Sequence, residues 1–170
     1  MLCTLKKLEV FKISGFSWVT FVTTIFGGLI LFIISQLSLK VIIEPIVELK
    51  KIIGKVARTL LLYSNQYHNP VELTEENLNN DRLTSERQRT SLEIRTMAGE
   101  LLGAVQVIPA YQIFSFLGLV PSLKRIKEAR ASLVGLSNSL WKTKSNDNVY
   151  VHIIETEKEL IKSLRIKAFR

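Results

Sequence analysis

His68 and His152 are the only imidazoles in the chain, so general acid–base chemistry near neutral pH has two candidates. Neither stands at a spacing that brings a nucleophile and an orienting carboxylate to it, and each reads as a structural or solvated side chain before it reads as a base. The chain has no Gly-rich phosphate loop, no G-x-S-x-G elbow and no H-E-x-x-H pair. Cys3 is the one cysteine, which excludes an internal disulfide and a cysteine-built zinc site. No metal and no cofactor is expected. The acidic residues fall on helix surfaces, and no two are placed by spacing as acid and base.

The other chemically active constellation is cationic. Lys124, Arg125, Lys127 and Arg130 crowd the first turns of a helix expected to open at Pro121 or Ser122. A helix N-terminus already carries positive potential, so these side chains call for an anion nearby, a phosphate or a lipid headgroup. "YQIFSFLGLVPS", residues 111–122, comes immediately before and is rich in aromatic and aliphatic side chains. Phe114, Phe116 and Leu117 ahead of a basic turn describe an interfacial wedge followed by a headgroup contact. The competing reading puts Phe114 to Val120 in the core and turns the cations toward an acidic neighbouring helix.

The elements that must carry these residues begin with an apolar run. From Ile13 to Leu39 the chain has no charged residue. About 20 apolar residues cross a hydrocarbon core, so this run is long enough to span with some tilt. It exceeds the apolar core of a signal peptide, and no small-x-small cleavage site follows in "SQLSLKVIIE", so a retained anchor is expected. Lys6, Lys7 and Lys12 precede the run, while Lys40, Lys50, Lys51, Lys55 and Arg58 follow it. That asymmetry favours a cytoplasmic C-terminal domain. The expected organisation is an N-terminal tail over 1–12, a transmembrane helix over 13–43 and a cytoplasmic helical bundle over 44–170.

Only Glu44-Pro45 separates the apolar run from an amphipathic helix. Phe21, Ile25, Gly28, Phe32, Ser35, Leu39, Ile42, Ile46, Leu49, Ile53 and Val56 recur at alternating steps of four and three, and Leu60, Tyr63 and Tyr67 continue the phase. A 3.5-residue period held this long is what a helix packed along a neighbour shows, with small residues where the membrane half needs close approach. It defines a candidate oligomer and transmembrane seam. Pro45 lacks an N–H and crowds the preceding turn, so a kink or a fresh helix start is expected there. Val47, Ala57 and Leu61 widen the stripe, which favours packing within the chain over an intermolecular seam for residues 46–67.

Thr74 before "EEN" is an expected N-cap, with a helix from Glu75 or Asp81 to Val107 whose apolar face is Leu83, Leu92, Met97, Leu101, Leu102 and Val105. Gly99 and Gly103 either admit a close neighbour or weaken this helix. A further helix runs from Pro121 or Ser122 to Trp141 on Leu123, Ile126, Leu133, Leu136 and Leu140, and the last from Val149 or Ile153 to about Ala168. The chain's net charge is +8, unevenly spread: residues 69–119 hold four arginines against seven acids, and residues 121–144 hold six cations against Glu128 alone. Antiparallel arms with offsetting faces follow from that division.

"EPIVELKKIIGKVARTLLLYSNQYHNP" and "LGLVPSLKRIKEARASLVGLSNSL" resemble two blocks of a family of small bacterial single-pass membrane-anchored helical proteins, a resemblance that implies no chemistry. The architecture is similar to the membrane accessory protein of type VI-B CRISPR systems, a HEPN-like bundle on a membrane helix. That likeness implies a homo-oligomeric, membrane-perturbing or pore-forming effector in bacterial phage defence, at the inner membrane, with lipids and a nucleic-acid-guided or sensor protein as partners. HEPN nucleases carry an Arg, a polar residue and then a His four to six positions after the Arg. This chain departs from that pattern, and its nearest approximation is Asn146 with His152. Asn146 and His152 are therefore the weak catalytic candidates. The alternatives are a membrane-tethered HEPN-like ribonuclease and a non-catalytic scaffold, and direct nucleic-acid binding is left open.

Overall fold

The computed structural model describes residues 18–142 and 148–167, and these are helical apart from short connections and two two-residue strands. The chain divides into two units, one up to Leu39 and one from Lys40 on. The first holds α1 (Trp18–Ser38), none of whose 21 residues is buried. At 1.5 Å per residue it is roughly 31 Å long, and it is the one helix among the described residues long and apolar enough to cross a membrane. Its threonines fold their hydroxyls back on the helix: Thr23 donates to the Val19 carbonyl at 2.8 Å and Thr24 to the Thr20 carbonyl at 2.8 Å. Those hydroxyls are satisfied without water.

A π-helical segment, Leu39–Ile43, leads without a loop into α2 (Glu44–His68). Pro45 sits in the first turn of α2, where its missing N–H leaves the Val41 carbonyl without its α-helical donor. The wider i to i+5 bonding immediately before it is a local way to absorb the ring without breaking the helix. The expected kink or restart at Pro45 takes this form, and the regular α period is interrupted over 39–43.

In the second unit α2 is followed by β1 (Val71–Glu72), α3 (Glu75–Leu78), α4 (Asp81–Gln106), α5 (Tyr111–Phe116), α6 (Leu123–Asn138), β2 (Trp141–Lys142) and α7 (Val149–Leu164). The main contacts run from α4 to α6 and to α2, and from α6 to α7, with a lighter contact between α2 and α7. Helices α2 and α4 are antiparallel, since Lys55 pairs with Glu100 at 3.2 Å and Gln66 bonds Glu86 at 3.0 Å. The core takes Leu49, Val56 and Leu60 from α2, Ile94 and Leu101 from α4, Ile126, Leu133 and Leu136 from α6, and Ile153 and Leu160 from α7. Each set recurs at helical spacing and supplies one buried stripe.

The helix starts are chemically marked. Thr74 Oγ1 accepts the Asn77 N–H, Asn80 Oδ1 accepts the Leu83 N–H at 3.1 Å, and Ser122 Oγ accepts the Arg125 N–H. Thr74 thus caps the short α3, and Asn80 caps α4 separately. Gly118, at φ 74°, closes α5, with the Leu119 N–H reaching back to the Phe114 carbonyl at 3.0 Å. That left-handed position favours glycine. The strands β1 and β2 pair in parallel, Val71 opposite Trp141 and Glu72 opposite Lys142. This link ties the chain after α2 to the chain after α6, and it removes Trp141 from the expected helix.

Several expected core positions lie elsewhere. Leu92 is 67% exposed and Ile94 takes the inward position, because the buried phase of α4 runs through Thr90, Ile94, Met97, Leu101 and Val105. Leu123 is partly exposed at the first turn of α6. Val47 and Leu61 are exposed and Ala57 only borders the core, so the buried stripe of α2 is narrower than expected. Gly99 and Gly103 face open space, so neither marks a close helix approach. The close approach that does occur is at Gly135, where an added Cβ would stand 3.6 Å from Thr156 Cγ2 of α7.

Leu133 is fully buried on α6, whereas Leu92 faces solvent. Leu133→Ala is expected to lower the unfolding free energy by about 2–5 kcal/mol. Leu92→Ala is expected to change it by less than about 0.5 kcal/mol. Urea denaturation of the detergent-solubilised chain, followed by circular dichroism, checks the pair.

Candidate functional site

A cluster of polar side chains lies at the C-terminal end of α2. The last turn of a helix leaves its carbonyls without amide donors, and burial makes an unmet acceptor costly. Arg87, 9% exposed on α4, supplies the donors: one guanidinium nitrogen reaches the Gln66 carbonyl and the other the Asn69 carbonyl at 3.3 Å. Its positive charge meets the negative end of the helix dipole. Burial lowers the Arg87 pKa and neighbouring Glu86 opposes that shift. Gln66 completes the junction, accepting the Thr90 hydroxyl at 2.6 Å on its side-chain oxygen and donating to Glu86.

Next to it, Glu157 of α7 receives two partners from α2. The Tyr67 hydroxyl donates to Glu157 Oε1 at 2.7 Å, and His68 Nε2 lies 3.0 Å from Oε2. Tyr67 is fully buried, and its ring stacks in a tilted contact on His68 with centroids 4.8 Å apart. Burial pushes the Tyr67 phenol up first, and the Glu157 carboxylate adds to the shift by hydrogen bond and by charge. A carboxylate holding an imidazole is half of a triad, but no hydroxyl or thiol among the described residues bonds this imidazole. What the arrangement does is fasten α2 to α7.

His152 lies exposed on α7 with no such partner among the described residues, and Asn146 lies outside them. The imidazole that the fold places in a polar network is His68, the one with the weaker sequence claim. Sequence spacing had no means of selecting Arg87 or Glu157, because each acts on a residue of another helix. No group of three or more His, Cys, Asp or Glu among the described residues stands close enough to hold a metal ion.

The basic turn divides. Lys124 is directed to Glu128 at 3.9 Å along its own helix. Arg125 shares a surface depression of about 270 Å³ with Glu128, Glu159 and Lys162. Lys127 and Arg130 are exposed and form no ion pair among the described residues. The expected meeting of these cations with the acidic α4 does not occur; the α4 to α6 polar contact is Arg95 with Ser137 at 3.1 Å and Asn138 at 2.7 Å. The aromatic segment also divides: Phe114 packs on the core and Val120 is buried, while Phe116 is 91% exposed and Leu117 60%.

Of the seam residues, Phe21, Ile25, Gly28, Phe32, Ser35 and Leu39 are exposed. Ile46, Leu49 and Val56 lie in the core of the second unit, with Ile42 and Ile53 at its edge. The half of the seam on α2 is therefore occupied within the chain. No protein-family model, curated protein or solved structure matches this sequence.

Two buried phenols, Tyr67 in this cluster and Tyr111 on α5, give the second unit a pH signature. Burial raises Tyr111 to about 12, with its hydroxyl donating to the Pro121 carbonyl at 2.6 Å, and Tyr67 is raised further. The unfolded chain releases these protons near pH 10 while the folded chain keeps them. Their contribution is thus intact below pH 10 and is lost as pH rises, at about 1.4 kcal/mol per pH unit for each phenol. Tyr67→Phe is expected to lower stability at pH 7 by about 1–3 kcal/mol and to make the decline above pH 10 shallower by one phenol's share. Urea unfolding at a series of pH values from 7 to 11 measures both.

Proposed function

We propose that this chain is a single-pass protein of a bacterial inner membrane, with α1 as the anchor and the second unit as a cytoplasmic four-helix bundle built from α2, α4, α6 and α7. The observation that carries the reading is α1 itself: 21 uncharged residues of which none is buried by the rest of the described chain. In water that surface is unfavourable, and lipid accepts it. The exposed cations Lys40, Lys50, Lys51, Lys55 and Arg58 after the span support the cytoplasmic side for the bundle.

The protein acts by association and not by bond chemistry. Phe21, Ile25, Gly28, Phe32 and Ser35 share one face of α1, and an added Cβ at Gly28 meets nothing within 4 Å in the chain. A second copy packed on that face would bury it, with Gly28 and Ser35 allowing close approach. Such an assembly is the basis for a membrane-perturbing or pore-forming effector, or an accessory to a nucleic-acid-guided or sensor protein. The phage-defence role rests on the architectural resemblance described above. Against a ribonuclease stand the exposed His152 and the His68 imidazole bound to Glu157.

Chemical crosslinking of the full chain in lipid nanodiscs is expected to give species above monomer mass, and Gly28→Leu to reduce them severalfold. In bacterial cells, induced expression is expected to depolarise the membrane, Gly28→Leu to relieve it, and His68→Ala with His152→Ala to leave it largely intact. A chain that stays monomeric in the bilayer removes the assembly reading. RNA cleavage that disappears in the double histidine variant replaces it with the ribonuclease.

A further inference from the structure

The second unit has a chemically distinct end. Because α2 and α4 are antiparallel, the start of α2, where the chain arrives from Leu39, lies beside the end of α4. A groove of about 490 Å³ there is lined by Pro45 and Val47 of α2 and by Ala104 and Val107 of the α4 end. The α5 to α6 turn reaches the same region, where Leu119 and Val120 line a second depression with Lys50 and Ile53 of α2. The segment from Val107 to Leu119 is therefore held at the end of the unit where the chain enters it.

That segment exposes large apolar side chains. Phe116 is 91% exposed, Val107 67%, Leu117 60% and Ile113 58%. They stand on an ordered support: Tyr111 is buried with its hydroxyl on the Pro121 carbonyl, Phe114 packs on the core, and Gly118 closes the turn. The outward side chains are thus displayed by a segment whose other face is fixed. Scattered exposed leucines need no explanation, but four large apolar side chains exposed within one eleven-residue segment do. Lys50, Arg165 and Lys167 line the depression beside it, Lys40 and Lys51 line the groove together with Glu44 and Glu48, and Lys124 is exposed in the first turn of α6, so the border is net positive. An apolar tip with a cationic rim is the composition that seats at the boundary between acyl chains and anionic headgroups.

We propose that α5 and its flanking turns form a second membrane contact, with Phe116 and Leu117 inserted at the interface of the bilayer that α1 anchors and Lys124 at headgroup depth. The proposal rests on the anchor reading, since α1 brings the bilayer to this end of the unit. A wedge at this end is a second point of attachment, which holds one face of the unit toward the lipid.

The test uses the full chain in a Cys3→Ser background, reconstituted in vesicles of phosphatidylcholine and phosphatidylglycerol, with one environment-sensitive fluorophore on an introduced cysteine. Three positions are compared: Phe116→Cys at the tip, Phe26→Cys in α1, and Leu61→Cys on α2. Leu61 is also apolar and exposed, about 25 Å along α2 from Glu44. Phe116 packs on nothing that its loss would disturb. Doxyl groups near the headgroup end of the acyl chain are expected to quench the label at 116 severalfold more than the label at 61. Doxyl groups deeper in the chain should quench the label at 26.

Quenching at 26 with none at 116 overturns the wedge and leaves the anchor. Quenching at 116 with none at 26 supports the wedge and removes the anchor, and quenching at neither removes both. A blue-shifted label at 116 that no doxyl lipid quenches shows the tip covered by protein, a second copy for instance, and overturns the lipid contact.

Discussion

A helix that satisfies its own backbone and buries none of its side chains against the other described residues presents an apolar surface that is costly in water. That constraint, set by α1, governs the rest of the molecule. With Thr23 and Thr24 bonded back to helix carbonyls, α1 makes few demands on water for hydrogen bonding, while its Ile, Leu, Val and Phe surface is costly in water. The second unit consequently has to complete its own core, and it does. Its buried residues come from α2, α4, α6 and α7, with α5 and the segment ends filling the edges, and none comes from α1. The division of the chain at Leu39 and Lys40 follows the same line: α1 in the first part buries no residue, and the second part holds a core of its own.

The closure depends on how the ends of α2 are finished. At its start Pro45 cannot donate, and the π-helical bonding before it accommodates the ring. At its other end the carbonyls of Gln66 and Asn69 would be stranded without Arg87. A charge this buried is tolerable only because two carbonyls and the helix dipole receive it. The Tyr67, His68 and Glu157 contacts extend the same solution to α7. What resembles a fragment of catalytic machinery is explained as the means by which one helix end is fixed to two neighbours.

Local signals in the sequence placed most helices, because helix starts are written in short-range chemistry. Thr74 and Ser122, both expected at helix starts, each accept an amide three residues on, and Asn80 does the same at the start of α4. The phase of α4 was harder. Its inward face includes Arg87 and Thr90, which hydrophobicity assigns to water, and its leucine at 92 points out. Polar residues buried for a hydrogen bond on another helix leave no periodic trace. For the same reason neither Glu157 nor its bond with His68 could be singled out. The parallel pairing of β1 and β2 joins residues some seventy apart by backbone bonds, which side-chain identity does not encode. The 3.5-residue seam was legible as a pattern, but a pattern does not say whose surface covers it: on α2 the chain covers its own, and on α1 it does not.

The second unit ends up with two unlike ends, and this follows from the placement of its connections. Chain that leaves α2 at His68 is drawn into hydrogen bonds with α4 and α7 and into the strand pair, so that end is fastened by polar contacts, with Leu73 and Leu78 left exposed beside them. Chain that leaves α4 at Gln106 has to turn through Pro109 and reach α6 at Leu123, and it does so with aromatic and aliphatic side chains. A short connection can bury only one side against the core; here Tyr111, Phe114 and Val120 take that side. The other side has no further helix to meet, so Ile113, Phe116 and Leu117 are displayed at the end where α2 begins. A polar loop would have made the same turn at lower cost in water. The apolar choice at that end, where the chain enters the unit, is one that its core packing alone does not require.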